Sequence, residues 1–201
     1  MTEIDSRPRK RMPRAEREAQ MLSVAEAVFA ERGYAAASMD DIAERCGVSK
    51  PMLYEYFGSK EGLLLGCINE VRQGMLGATM AAVAEPGEPL DVMRRGLYAY
   101  FEFVFARGGA IAMMLEPTGR LGEAMEDIRK QQVDFMSATL SAFVEVPDPM
   151  ALEGYAQIML GACERLTLWK LDRPELTAQQ ATQYLMDLGT GMLLQQARKP
   201  E

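Results

Sequence analysis

At 201 residues, with 48% hydrophobic and 25% charged residues and a formal net charge of −7, the chain has room for one ordinary domain or a small module joined to a larger one. Its composition is that of a globular protein, and the three cysteines, Cys46, Cys67 and Cys163, form no CxxC pair, which excludes a disulfide scaffold and suggests buried thiols in a reducing compartment. The absence of any histidine removes the commonest neutral-pH general base and the commonest transition-metal ligand, and no GxGxxG, P-loop, GxSxG or HExxH pattern occurs, so the expectation is a non-enzyme without cofactor or metal.

The charge is unevenly spread. Residues 1–66 carry ten basic and eleven acidic groups, and residues 67–201 carry twelve and eighteen. Within the first part, residues 7–14 hold five basic groups and no acidic one, and phosphates respond to such a local patch rather than to the average. No apolar stretch follows the basic N-terminus, and the longest weakly polar run, 75–84, is far short of the ~18 residues of a membrane span. The expected location is the cytoplasm, with no membrane partner.

In chain order, 3.6-residue periodicity recurs between Gly and Pro punctuation, and no strand alternation or hairpin turn is present. A first helix is expected over 14–32, with Leu22, Ala25 and Phe29 on one face and Gly33 as its stop. Short helices follow at 39–45 and 50–57, then a long one from 60 to about 84. Pro86-Gly87-Glu88-Pro89 interrupts, and 90–105 resumes the pattern. A short apolar segment at 110–115 precedes helices at 121–143, 150–171 and 178–198. The expected fold is all-α with about nine helices.

The densest signal is the stretch 38–60, SMDDIAERCGVSKPMLYEYFGSK. Ser38 is placed to cap a helix and Asp41 to complete a capping box. Gly47 stands where the turn between two crossed helices needs positive φ, and Val48 plugs the junction. Ser49 is expected to cap the next helix, with Pro51 tolerated in its first turn. Leu53 and Phe57 turn to the core, which leaves Lys50, Met52, Tyr54 and Tyr56 on the outer surface or its margins. A short capped helix with polar and aromatic groups in its first turn suits a major-groove reader. An ordinary helical hairpin with a Gly turn has the same spacing.

At these residues the sequence resembles the TetR family of one-component bacterial regulators: FAERGY at 29–34, then SMDDIA, then GVSKPMLYEYFGSKEGLL from Gly47. The close match covers residues 19–65; the rest agrees only in being helical and of suitable length. The resemblance implies a three-helix helix-turn-helix domain at 1–66 and a ligand-binding and dimerisation bundle at 67–201. It further implies a homodimer on a pseudo-palindromic double-stranded operator, and repression relieved by a small effector. Ser38 and Tyr54 match phosphate-holding positions, as does Lys60, and Lys50, Pro51 and Met52 match base-touching ones; Ser49 and Tyr56 complete the expected DNA surface. Asp40 departs from the pattern, standing where some members place a basic base contact, and is assigned to the helix dipole instead. Arg9 and Arg11 in the basic arm either follow the DNA or belong to a solvated tail. A ligand carrier that had lost DNA binding would show a broken 47–60 block, and this block is intact.

In the C-terminal part, 97–105 is apolar on every side except Glu102, which suits the middle of a bundle. The sixteen methionines suit an adaptable cavity. Met80, Tyr98, Phe101 and Phe105 are candidate pocket residues, with Met113, Met114, Phe135, Met136 and Met159; each could equally be ordinary core. Glu102 either answers a ligand or pairs with Arg94, Arg95 or Arg129. The expected effector is apolar or amphipathic. On the last two helices Tyr155, Ile158, Ala162, Leu166 and Trp169, with Leu185, Leu188 and Met192, form the expected dimer interface, where Gly154, Gly161, Gly189 and Gly191 would let backbones approach.

Overall fold

The computed structural model describes residues 12–107, 121–141 and 148–196. Every regular element among them is a helix: α1 (Arg14–Ala36), α2 (Met39–Cys46), α3 (Lys50–Phe57), α4 (Lys60–Val83), α5 (Pro89–Ala106), α6 (Leu121–Ser141), α7 (Pro149–Asp172) and α8 (Ala178–Gln196). The expected segment 110–115 and the expected ends at 143 and 198 lie outside the described residues. No described helix is long and apolar enough to cross a membrane. The chain divides into two compact units, Met1–Cys67 and Ile68–Glu201.

In the first unit, α1 buries Met21, Leu22, Ala25, Val28 and Phe29, the spacing of a single helical face. Against them lie Ile42, Ala43 and Cys46 of α2, Leu53 of α3, and Leu63 and Leu64 of α4, all buried. Gly33 interrupts α1 as the sequence suggests, but one further turn follows it, to Ala36. Ser38 caps α2, its Oγ accepting from the Asp41 N–H at 3.1 Å. Gly47 adopts φ 65°, and the N–H groups of Gly47 and Val48 bond to the carbonyls of Glu44 and Ala43, each at 3.0 Å. That left-handed ending satisfies the orphan carbonyls of α2 and turns the chain into α3.

Two capping expectations are corrected. Ser49 occupies the cap position of α3, but its side chain makes no cap hydrogen bond; Pro51 has no N–H to offer there, which removes one of the two usual donors. Asp41 does not close a capping box, because its carboxylate pairs with Arg32 of α1.

In the second unit, α5 packs on α8 and α6 on α7. The core gathers Val71, Leu97, Phe101, Val104, Cys163, Ala181, Leu185 and Met186. Gly96 makes the α4–α5 approach possible, since a Cβ there would stand 2.9 Å from Val83 Cγ1. The expectation that 97–105 is buried on all sides does not hold. Only one face, carrying Leu97, Phe101 and Val104, is buried, while Tyr98 and Glu102 are exposed. Thr177 and Gln180 cap α8 reciprocally: the Gln180 N–H donates to Thr177 Oγ1 at 3.2 Å and the Thr177 N–H to Gln180 Oε1 at 3.0 Å.

Candidate nucleic-acid interface and effector cavity

Helix α3 begins with Lys50, Pro51 and Met52 exposed, and Tyr54 is exposed one turn on. Leu53, fully buried, anchors the helix from behind. Lys50 Nζ lies 2.9 Å from Asp40 Oδ2, and this hydrogen bond raises the ammonium's pKa above its ordinary value. Asp40 therefore acts on Lys50 as well as on the α2 dipole, a pairing that sequence spacing did not suggest. The Ser38 oxygen accepts the cap bond, which leaves its hydroxyl proton available to donate.

Lys60, at the start of α4, donates to the Ala35 carbonyl at 3.3 Å, and its Nζ lies 4.5 Å from the centre of the Tyr34 ring. An ammonium has three donors, so it can hold this position and still meet an anion. Burial, and then the charge of Glu61, raise the Tyr34 pKa, so this ring stays a neutral platform. Tyr56 is half-buried beneath the Arg14 guanidinium, 4.8 Å from its centre, so α1 also supplies a cation to this margin. The role of Arg14 and the Arg45–Glu31 pair at 2.8 Å were missed from sequence, for lack of any signal linking α1 to its neighbours. Arg9 and Arg11 lie outside the described residues.

In the second unit a cavity of about 150 Å³ opens among α4, α5, α6 and α7. Facing helical stripes line it: Arg72, Met75, Leu76, Thr79 and Val83 of α4; Met93, Gly96, Leu97 and Tyr100 of α5; Phe135, Met136, Thr139 and Leu140 of α6; and Met159, Leu160 and Cys163 of α7. Gln131, Gln132 and Glu164 add polar groups. Burial pushes the Cys163 thiol up to about 12, with Glu164 adding to the shift, and raises the Tyr100 phenol as well. Both stay protonated and neutral.

Of the expected pocket residues, Phe135, Met136 and Met159 line this cavity. Phe101 is fully buried in the core and Phe105 packs against it. Met80 is exposed, and Met113 and Met114 lie outside the described residues. Tyr98 and Glu102 border a separate, open surface concavity with Arg94 and Arg95. There the Tyr98 hydroxyl donates to Glu102 Oε1 at 3.0 Å. None of the three expected arginine partners holds Glu102. Arg94 donates to Gln183, Arg95 to the Ala82 carbonyl and Arg129 to Glu164. The stripe at 72, 75, 76, 79 and 83 was the available signal for the cavity wall, yet the exposed Met80 was the only residue of this helix that the sequence analysis named for the pocket.

On α7 and α8 an apolar surface remains open. Ile158 is 65% and Leu188 67% exposed, with Tyr155 and Trp169 also exposed. Built Cβ atoms at Gly154, Gly161 and Gly189 would meet nothing within 4 Å. Ala162 and Leu166 instead pack partly against the core of their own chain, and Leu185 is inside it, 6% exposed. The Met192 side chain lies outside the description.

Residues 21–67 match the family model described as bacterial regulatory proteins, tetR family. The HTH-type transcriptional activator FasR of Mycolicibacterium smegmatis is 39% identical over 94 residues, which are 47% of this chain and 43% of that protein. The chain spans about half the length of the curated relatives it matches. A TetR-like transcriptional regulator from Rhodococcus sp. RHA1 superposes with a TM-score of 0.74 at 29% identity, covering 94% of this chain and 100% of the other. FadR from Bacillus subtilis, in complex with stearoyl-CoA, superposes at 0.73 with 16% identity over 85% and 96% of the two chains, a likeness of fold alone.

Proposed function

The chain belongs to the TetR family of bacterial transcriptional regulators, and on that premise we propose that it is a homodimeric repressor in the cytoplasm, released from a pseudo-palindromic operator by a largely apolar effector. The observation that carries the reading is the apolar cavity of the second unit, one wall of which is the α4 stripe from Arg72 to Val83. The same helix starts at Lys60, in the first unit. A ligand that binds better to one position of α4 than to another biases Lys60 and the helices before it, and only that difference in affinity changes the operator complex.

In this reading Lys50, Pro51 and Met52 meet base edges, Ser38, Tyr54 and Lys60 hold phosphates, and Ser49 and Tyr56 sit at the margin. The exposed apolar residues Tyr155, Ile158, Trp169 and Leu188 meet their counterparts across a two-fold axis, with Gly154 and Gly161 allowing close helix approach. The half-sites then lie about one helical turn apart, ~34 Å.

The test selects an operator from a random duplex pool and follows its fluorescence anisotropy while apolar compounds are added. The expected coupling is ~1–3 kcal/mol, roughly 5- to 150-fold in operator affinity, and operator should weaken ligand binding by the same factor. Compounds that bind tightly yet leave operator affinity unchanged would refute the regulatory half alone. A second reading, activation, is favoured by one observation: the relative FasR is named an activator. A promoter fusion in a deletion strain decides, since repression predicts higher expression without the protein and activation predicts lower.

A further inference from the structure

Among the residues lining the cavity only Arg72 and Glu164 are charged, and Gln131 and Gln132 add side-chain amides. The one positive and the one negative charge among them do not pair with each other. Glu164 is engaged by Arg129, whose Nη1 donates to both carboxylate oxygens at 2.9 and 3.0 Å. Arg72 has no such partner: its Nη1 donates to the neutral Gln131 Oε1 at 3.1 Å, and its Nε is buried without an acceptor. Among the described residues no carboxylate lies within ion-pair distance of it. A cation without a counter-charge at the wall of an apolar cavity is costly, and an anionic group brought in by a ligand offsets that cost.

Building on the proposal that the cavity takes an apolar effector, we infer that the effector is an amphipathic anion, its tail among the methionines and Phe135 and its head on Arg72. The guanidinium suits this role because its planar fork offers two parallel N–H donors to one carboxylate or phosphate. With Nε buried and Nη1 donating to Gln131, Nη2 and the remaining Nη1 proton are the donors left for the head. Glu164 does not oppose the anion as a free charge would, because Arg129 already neutralises it. An uncharged ligand of the same length gains the tail contacts but leaves Arg72 as it stands. A cationic ligand would meet a like charge.

The inference is tested by titrating the full-length protein calorimetrically with decanoate, decyl phosphate and decanol. The shared tail cancels, so the comparison isolates the head. One charged hydrogen bond predicts that at least one anion binds roughly tenfold to a hundredfold more tightly than decanol, and the better anion tells a carboxylate head from a phosphate one. Arg72→Gln should abolish that preference while leaving decanol affinity unchanged, and Arg72→Lys, which keeps the charge without the fork, should retain part of it. Should Arg72→Gln not fold, as judged by its melting curve, the three ligands on the wild type and Arg72→Lys still decide. Decanol binding as tightly as both anions overturns the anionic head and leaves the apolar effector standing. An anion preference that survives intact in folded Arg72→Gln overturns the role of Arg72. Binding of none of the three refutes the apolar cavity reading itself, and the inference with it.

Discussion

In the first unit the groups proposed to meet DNA lie within the single stretch 38–60, at the cap of α2, on the short helix α3 with its cap, and on the first residue of α4. The cavity wall of the second unit draws on four helices, from Arg72 to Glu164. The first arrangement depends mainly on caps and turns, each made by residues a few positions apart. The second depends on how long helices lie against one another. Substitutions should therefore act differently in the two units: by local backbone chemistry in the first, and by volume and burial in the second.

The largest expected effects belong to the second unit. Leu185→Arg places an unpaired charge in the core and should unfold that unit, whereas Ile158→Arg, on the open face, should leave the fold intact. In the proposed dimer Ile158→Arg should instead weaken association by about 3–5 kcal/mol, seen by sedimentation as a folded monomer. A folded dimer in the Ile158→Arg variant would move the interface elsewhere. Next in size, Phe101→Ala should cost ~3–5 kcal/mol in chemical denaturation. Phe135→Ala, which borders existing space, should cost less and should alter ligand affinity more. The reverse ranking would show that the cavity extends to Phe101.

Effects in the first unit should be smaller. Gly47→Ala forces an L side chain into the left-handed region at φ 65° and should cost about 1–2 kcal/mol. Ser38→Ala removes an observed cap bond and should cost ~1 kcal/mol, whereas Ser49→Ala, with no cap bond to lose, should be close to neutral. Equal costs for the two serines would mean that Ser49 caps α3 in solution. Smallest in stability, and visible only on DNA, are the changes at the Lys50–Asp40 pair. Lys50→Ala should lower operator affinity and discrimination, and Asp40→Ala should raise affinity for all duplexes by removing a like charge from the phosphates. Lys60→Ala should reduce the slope of log affinity against log salt by about one unit.

Several features of the first unit were legible because a few neighbouring residues cause them. Ser38 caps the helix that follows it, and Gly47 turns the chain because no Cβ obstructs positive φ. Gly33 interrupts α1 for the same reason. Ser49 made no cap bond because Pro51, two positions on, has no N–H to give; at Asp41 and Asp40 a side chain had a partner elsewhere. Asp41 was drawn to Arg32 across the α1–α2 contact, and Asp40 to Lys50 across the turn. Neither pairing has a fixed sequence spacing, so neither could be read in advance.

The amino-acid sequence by itself determined that the chain is helical, where most of its helices start and stop, and that 38–60 holds two short helices joined at a Gly turn, because these follow from backbone propensity, caps and a 3.6-residue period. The helix-turn-helix was what the family resemblance implied. Tertiary structure decided which face of each long helix does what. Tyr98 and Tyr100 are two positions apart on α5 and therefore point to nearly opposite sides. Tyr98 reaches the surface and bonds Glu102, while Tyr100 lines the cavity. Periodicity separates the two tyrosines but cannot tell which side faces in, because that depends on where α4, α6 and α7 lie. Leu185 and Leu188, three positions apart on α8, share a helix face by periodicity, yet one is in the core and the other 67% exposed, a boundary that packing alone draws. Packing likewise decides that Arg72 meets the neutral Gln131 of α6 while Glu164 pairs with Arg129.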